Sequence, residues 1–283
     1  MTFNIGYVAG DKRFFHPTPS AARAYSLPPS CLVASLTSSR DLGNSGIWTS
    51  FFHGSARARL FLPARHGRVL TSGQRRYIAE GEARGVSGRY KCRIRDPWYV
   101  IPGVRVPNVV VPVFAQRPRL LINDDERVVS NSFLAGFIRS GSAESLAATW
   151  YTSLTLLECE LRVHSLGGGV MVFVPGELGR IRVAADGVPM SHLQVVDKRG
   201  KSGDWLGAYS AGDGPVLGGA LGLCRSDIEL IREGAISLGQ WRTDRAWPSG
   251  EDVPEQEPRP EFSDHAIRKG REAHVEVLGR IRD

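Results

Sequence analysis

Apolar and polar positions alternate with two different periods along this chain, and the places where the period changes mark out its elements. Phe3-Asn4-Ile5-Gly6-Tyr7-Val8-Ala9-Gly10 alternates closely enough to predict a strand, and Gly10-Asp11 supplies a turn before Phe14-Phe15. Pro19 suits a first helical turn after Thr18, with Ala21, Ala22 and Ala24 favouring the helix, and Ser72 caps a second helix through Tyr77, Ile78 and Ala83 to Gly85. From Arg89 to Pro102 the period drops to two. On an extended backbone Lys91, Arg93 and Arg95 share one face, while Cys92 and Ile94 share the other. A Pro97-Trp98-Tyr99 step follows, so one cationic face leads into two aromatic rings.

The middle of the chain reads mostly as strand: Val104 to Val113, then Arg119 to Ile122, then Arg127 to Phe133. Prolines at 102, 107, 112 and 118 predict short edge or irregular segments there, because proline cannot donate to a ladder. Ser142 then caps the clearest helix, with Leu146, Trp150, Leu154, Leu157 and Leu161 on one face. Gly167-Gly168-Gly169 predicts a hinge from that helix into the apolar strand Val170 to Val174, which Pro175 stops. Residues 200–219 predict a loop, and about Ser226 to Leu238 a helix. The stretch 248–262 is acidic and proline-rich and predicts a linker; 263–283 predicts a charged terminal helix with His274, Leu278 and Ile281 on one side. The fold class expected is α+β, with mixed strands and helices and a short C-terminal helical tail.

Charge changes this picture more than composition does. With 42% apolar and 23% charged residues the chain belongs with globular proteins, and 283 residues suffice for one large domain or two modest ones. The net charge of +7 is unevenly spread: residues 1–100 carry 15 Lys or Arg against 5 Asp or Glu, whereas residues 201–283 carry 11 against 15. Only five of the 36 cations are lysines. Arginine binds phosphate and guanine edges bidentately, which suits DNA contact, although a GC-rich coding sequence produces the same bias.

Four scattered cysteines and seven scattered histidines show neither a zinc spacing nor a disulfide framework, which fits a reducing cytosol. No long apolar run or signal-peptide pattern occurs, so a cytoplasmic protein without membrane attachment is expected. Asp124-Asp125-Glu126 reads as a solvated turn rather than a metal site, no G-x-S-x-G elbow is present, and the glycine runs lack the frame of a phosphate loop. No catalytic constellation stands by itself. Taken alone, the Arg89–Pro102 stretch favours an ordinary solvated strand with Trp98 and Tyr99 in the core.

The order of the segments along the chain adds a further likeness. Gly6 to Phe15, Tyr77 to Val86, Tyr90 to Tyr99, Pro118 to Asn123, Ser130 to Phe133, Ser153 to Leu161, Gly168 to Val170 and Pro175 to Leu178 together resemble the C-terminal part of adenine-specific DNA methyltransferases of the TaqI and Eco57I type, which are similar to modification subunits of restriction systems. The resemblance spans about residues 3 to 185 and fades towards 245. In that family an N-terminal Rossmann-like domain binds S-adenosylmethionine and holds an Asn/Asp-Pro-Pro-aromatic motif at the flipped adenine. No such motif occurs here, and Asp96-Pro97 is followed by Trp98. The chain begins at Met1 where the family's second half would begin.

The resemblance therefore implies a DNA target-recognition-like domain at 1–185, a helical and loop extension of it at 186–247, then the linker and tail. It implies a split or truncated N6-adenine methyltransferase half acting in restriction-modification or phage defence, not catalytic alone. Double-stranded DNA and a catalytic subunit would be its partners, with S-adenosylmethionine held on that separate chain. The alternative is a stand-alone DNA-binding module or regulator. The residues expected at the DNA are Lys91, Arg93, Arg95, Trp98 and Tyr99, with Arg40, Asn123 and Asn131 beside them. For Asn123 and Asn131 the residues themselves slightly favour another place, in turns whose backbone groups they would satisfy.

Overall fold

A computed structural model describes residues 1–43, 45–51, 58–63, 69–183 and 190–244. Among these residues ten short strands run in chain order: β1 Thr2–Ile5, β2 Leu32–Leu36, β3 Arg59–Phe61, β4 Val109–Pro112, β5 Phe114–Ala115, β6 Leu121–Ile122, β7 Val128–Val129, β8 Phe133–Phe137, β9 His164–Leu166 and β10 Val170–Val172. The helices are α1 Lys12–Phe15, α2 Pro19–Ala24, α3 Ser72–Ala83, α4 Tyr90–Arg93, α5 Ala143–Trp150, α6 Ser153–Arg162, α7 Pro175–Leu178, α8 Leu193–Ser202, α9 Trp205–Ser210 and α10 Arg225–Asp244, with a π-helix at Asp213–Ala220. The fold is α+β.

The strands form an antiparallel four-stranded sheet in the order β1-β8-β4-β6 and two three-stranded sheets, β3-β2-β7 and β5-β10-β9. Strand β4 explains how the large sheet is held. Val109 and Val111 point into the main core with Trp150 and Leu157, whereas Val110 points to the other face, into a smaller core with Leu36, Leu42 and Phe133. Both faces are covered, so every residue of β4 is buried. The expectation that the prolines would confine this segment to an edge is corrected: β4 lies between β8 and β6. Pro107 precedes it and Pro112 ends it, so proline brackets the interior strand without piercing it.

Thr18 accepts a hydrogen bond from the Ala21 amide with Pro19 in the first turn, as the sequence predicts for α2. The cap of α3 is Thr71, one residue earlier than Ser72, in a reciprocal pair with Gln74. The single long helix expected after Ser142 is two. Tyr151 leaves the helical conformation, and Thr152 caps α6 by accepting from the Thr155 amide. The break is fixed from outside: buried Asp213 accepts from the Ser153 amide at 2.7 Å and its hydroxyl at 2.8 Å, and Arg232 donates to the same carboxylate at 2.8 Å. A carboxylate at a helix N-terminus satisfies donors that would otherwise be orphaned.

Three further readings are corrected. Gly167–Gly169 joins β9 to β10 as a hairpin turn, with Gly168 at φ 77° and Gly169 at φ 70°, because a strand and not a helix precedes it. Residues 200–219 are helical rather than a loop, comprising the end of α8, all of α9 and most of the π-helix. Their glycines serve close packing: a Cβ at Gly200 would lie 2.8 Å from the Trp205 ring, and one at Gly212 would lie 2.1 Å from the Tyr151 carbonyl oxygen. The period-two stretch after Arg89 is α4, a helical turn. The linker at 248–262 and the helix at 263–283 lie outside the described residues.

Residues after 190 share the core of those before 183. Leu193, Val196, Trp205, Tyr209, Leu217 and Ile231 pack in one cluster with Val109, Leu120, Trp150 and Leu157. A second cluster centres on Phe14, Phe15, Phe61 and Tyr77. Burial raises the Tyr7 phenol from 10.0 to about 12, and does the same to Tyr77. The unfolded phenols ionise first, so stability is full below pH 10 and is lost as pH rises towards 12. Thermal melts of the wild type across that window should fall more steeply than those of Tyr7→Phe; parallel curves would refute the assignment to Tyr7. No helix among the described residues is long and apolar enough to cross a membrane.

Candidate nucleic-acid interface

Helix α4 is built around one buried side chain. Cys92 is fully buried and packs beneath Gly10, whose φ of +91° and missing side chain permit the contact; a Cβ there would lie 2.9 Å from the Cys92 sulfur. With Cys92 turned inward, Tyr90, Lys91, Arg93 and Ile94 are left on the surface. Tyr90 is 62% exposed, with the Lys91 ammonium 5.2 Å and the Arg93 guanidinium 5.6 Å from its ring centre. Arg89, at the N-terminal end of this turn, pairs at 3.0 Å with Asp11, which also caps α1 through the Phe14 amide. Exposed Lys12 and Arg13 follow that cap. Asp11 is thereby engaged, and the face presents cations around an aromatic ring, with Asp96 exposed at the end of the same segment.

Arg95 is separated from Lys91 and Arg93 by the helical geometry. Its guanidinium donates to the carbonyls of Val8 and Ala9 and stacks 6.0 Å from the Phe15 ring centre, tying the β1–α1 connection to α4. Trp98 donates its indole N–H to Glu82 at 2.9 Å, and its ring lies 5.1 Å from that of Phe14, over Gly81. Tyr99 meets Trp98 edge-on at 5.8 Å. Both rings fringe the Phe14 cluster.

Asn123 is buried, and its side chain works within the chain. Its amide donates to the Pro107 and Arg127 carbonyls at 2.7 and 2.9 Å, and its oxygen accepts from the Arg127 amide and the Thr49 hydroxyl. Asn131 is exposed in the turn before β8, with its backbone N–H on the Tyr7 carbonyl. Asp124 and Asp125 accept from Thr49 and Ser50, and Asp125 pairs with Arg127. Among the described residues no group of three His, Cys, Asp or Glu is arranged to hold a metal.

A family description, the C-terminal domain of the type II methyltransferase M.Eco57I, matches residues 1–217. The chain belongs to this family. No curated protein matches it.

The M.Eco57I-type match takes in α4, every strand of the described residues, and the helices through α9, and it ends within the π-helix. It also covers Arg40, which lies in a short helical turn at Ser39–Leu42 and lines a cavity of about 300 Å³ with Arg117 and Arg119. Sequence reasoning passed over Tyr90, Phe114 and Arg117. Tyr90 lies at the start of the Arg89–Pro102 stretch, where its spacing from Lys91 and Arg93 carries no signal of stacking. Arg117 and Arg119 flank Pro118, a spacing that could have grouped them.

Proposed function

We propose that this M.Eco57I-type domain grips double-stranded DNA for an adenine-specific methyltransferase system whose catalytic chain is separate. The observation that carries the reading is the exposed Tyr90 ring between Lys91 and Arg93, anchored by Cys92. Cations on a rigid turn bind phosphates, and phosphate contacts set register on the duplex. Extruding a base for methylation costs a few kcal/mol of stacking, so the flanking duplex must be held from the opposite side. Asn131 and the Arg40 region extend the contact in this reading, while Arg95, Trp98, Tyr99 and Asn123 position the elements that make it.

The fit to S-adenosylmethionine is poor. The chain lacks an Asn/Asp-Pro-Pro-aromatic motif, and Gly167–Gly169 turns between two strands instead of opening a helix after one. In this reading a partner chain supplies the cofactor and methyl transfer, in cytoplasmic restriction-modification or phage defence. Adding a partner that carries the missing motif should restore methylation of adenine in bound DNA. Replacing Lys91 or Arg93 by alanine should weaken binding to all duplexes alike and reduce the slope of log K against log salt by roughly one each. An unchanged slope in fluorescence anisotropy would remove α4 from the interface.

A further inference from the structure

The cavity beside Arg40 has a different character from the α4 face. Its volume is about 300 Å³, and Arg40, Arg117, Arg119, Phe114, Gln116 and Trp205 line it, with no carboxylate among the described lining residues. Arg119 is largely enclosed: it donates to the Gly43 and Gly46 carbonyls at 3.0 and 3.2 Å and lies 4.4 Å from the Trp205 ring centre. Its Nε is buried without a hydrogen-bond partner among the described residues. A desolvated cation is ordinarily matched by an anion, and among the described residues no carboxylate pairs with this one. Phe114 is 53% exposed on the same wall.

This wall is also held still. Arg242 donates to the Gln116 carbonyl at 2.9 Å, Trp150 and Tyr209 donate to the Pro118 carbonyl at 2.6 and 2.7 Å, and Tyr151 donates to the Leu120 carbonyl at 2.6 Å. Three successive alternate carbonyls are thus fixed from the core, while Arg117 and Arg119 between them line the cavity. Such a segment binds without a large ordering cost.

We propose that the cavity takes a single unpaired nucleotide of a DNA strand, its phosphate among Arg119, Arg117 and Arg40 and its base against Phe114. The proposal rests on the DNA-gripping reading. A cavity of about 300 Å³ lies at the lower end of small-molecule sites, which admits one nucleotide but not a paired step. Guanidinium groups recognise the phosphate, and an aromatic face stacks on any base.

The test uses the whole chain with three probes: a paired duplex, the same duplex with a one-nucleotide bulge, and free dAMP. The bulged duplex should bind about tenfold more tightly than the paired one, and Phe114→Ala should erase that difference. Arg117→Ala should lower the salt slope for the bulged duplex by about one. Melting temperatures of both variants should stay near wild type, since neither side chain is buried. Suppose the paired duplex binds and responds to Lys91→Ala, yet the bulge gives no gain and Phe114→Ala and Arg117→Ala change nothing. The cavity proposal then falls while the grip at α4 stands. Binding of dAMP that Arg117→Ala abolishes, without any DNA binding, would make the ligand a free nucleotide and overturn both the strand assignment and the grip. No binding of any probe would overturn both as well.

Discussion

Replacing Trp150 with alanine is expected to cost about 3–5 kcal/mol, the range for deleting a fully enclosed aromatic. Trp150 is wholly buried in the main core, on the helix that packs across β6, and its indole N–H reaches the Pro118 carbonyl. The loss has two parts. A large cavity opens between Val109, Leu157 and the helices, and the Gln116–Leu120 segment loses one of its inner anchors. Tyr209 still donates to the same carbonyl, so the acceptor is weakened and not orphaned. Trp150→Phe keeps most of the volume and should lose much less. Denaturant melts read the difference; a Trp150→Ala protein within about 1 kcal/mol of wild type would contradict this packing, because such a cavity costs more.

Glu160→Ala is expected to cost a similar about 3–5 kcal/mol, by a different mechanism. Glu160 and Arg242 are 8% and 9% exposed and form a two-point pair, Arg242 Nε and Nη2 each 2.8 Å from a carboxylate oxygen. Removing the acid leaves a buried guanidinium whose remaining partners among the described residues are the carbonyls of Gly169 and Gln116. An uncompensated buried charge is more costly than a missing pair. The double variant Glu160→Leu with Arg242→Met should therefore be less destabilised than the sum of its single variants. A double-mutant cycle checks this, and strictly additive losses would show the two side chains to be energetically independent.

How much of this was legible in the sequence depended on how local the determinant was. Thr18-Pro19 carries its own cap and its own first turn, so α2 could be read directly. The break at Tyr151 could not, because its cause is Asp213, 60 residues away in sequence from Ser153. The glycines of 200–219 resembled loop residues for the same reason: what they accommodate, the Trp205 ring and the Tyr151 carbonyl, is visible only once the chain has folded. The alternation of Lys91, Arg93 and Arg95 fitted a strand, but the burial of Cys92 under Gly10 selects a helical turn and sends Arg95 to the Val8 and Ala9 carbonyls. Family membership was legible from ordered segments that do not depend on getting those conformations right.

The hold on Gln116 has a kinetic meaning. Its partner Arg242 lies 126 residues further along the chain, near the end of α10, whereas the Trp150 anchor on Pro118 is only 32 residues away. Loop closure over the longer span carries the greater entropic cost, and nonlocal contacts of this kind slow the search for the native state. The wall bearing Arg117 and Arg119 is therefore expected to be among the last surfaces to mature during refolding, locked only when α10 docks. A nascent chain would complete its aromatic cluster around Phe14 well before it could present that wall.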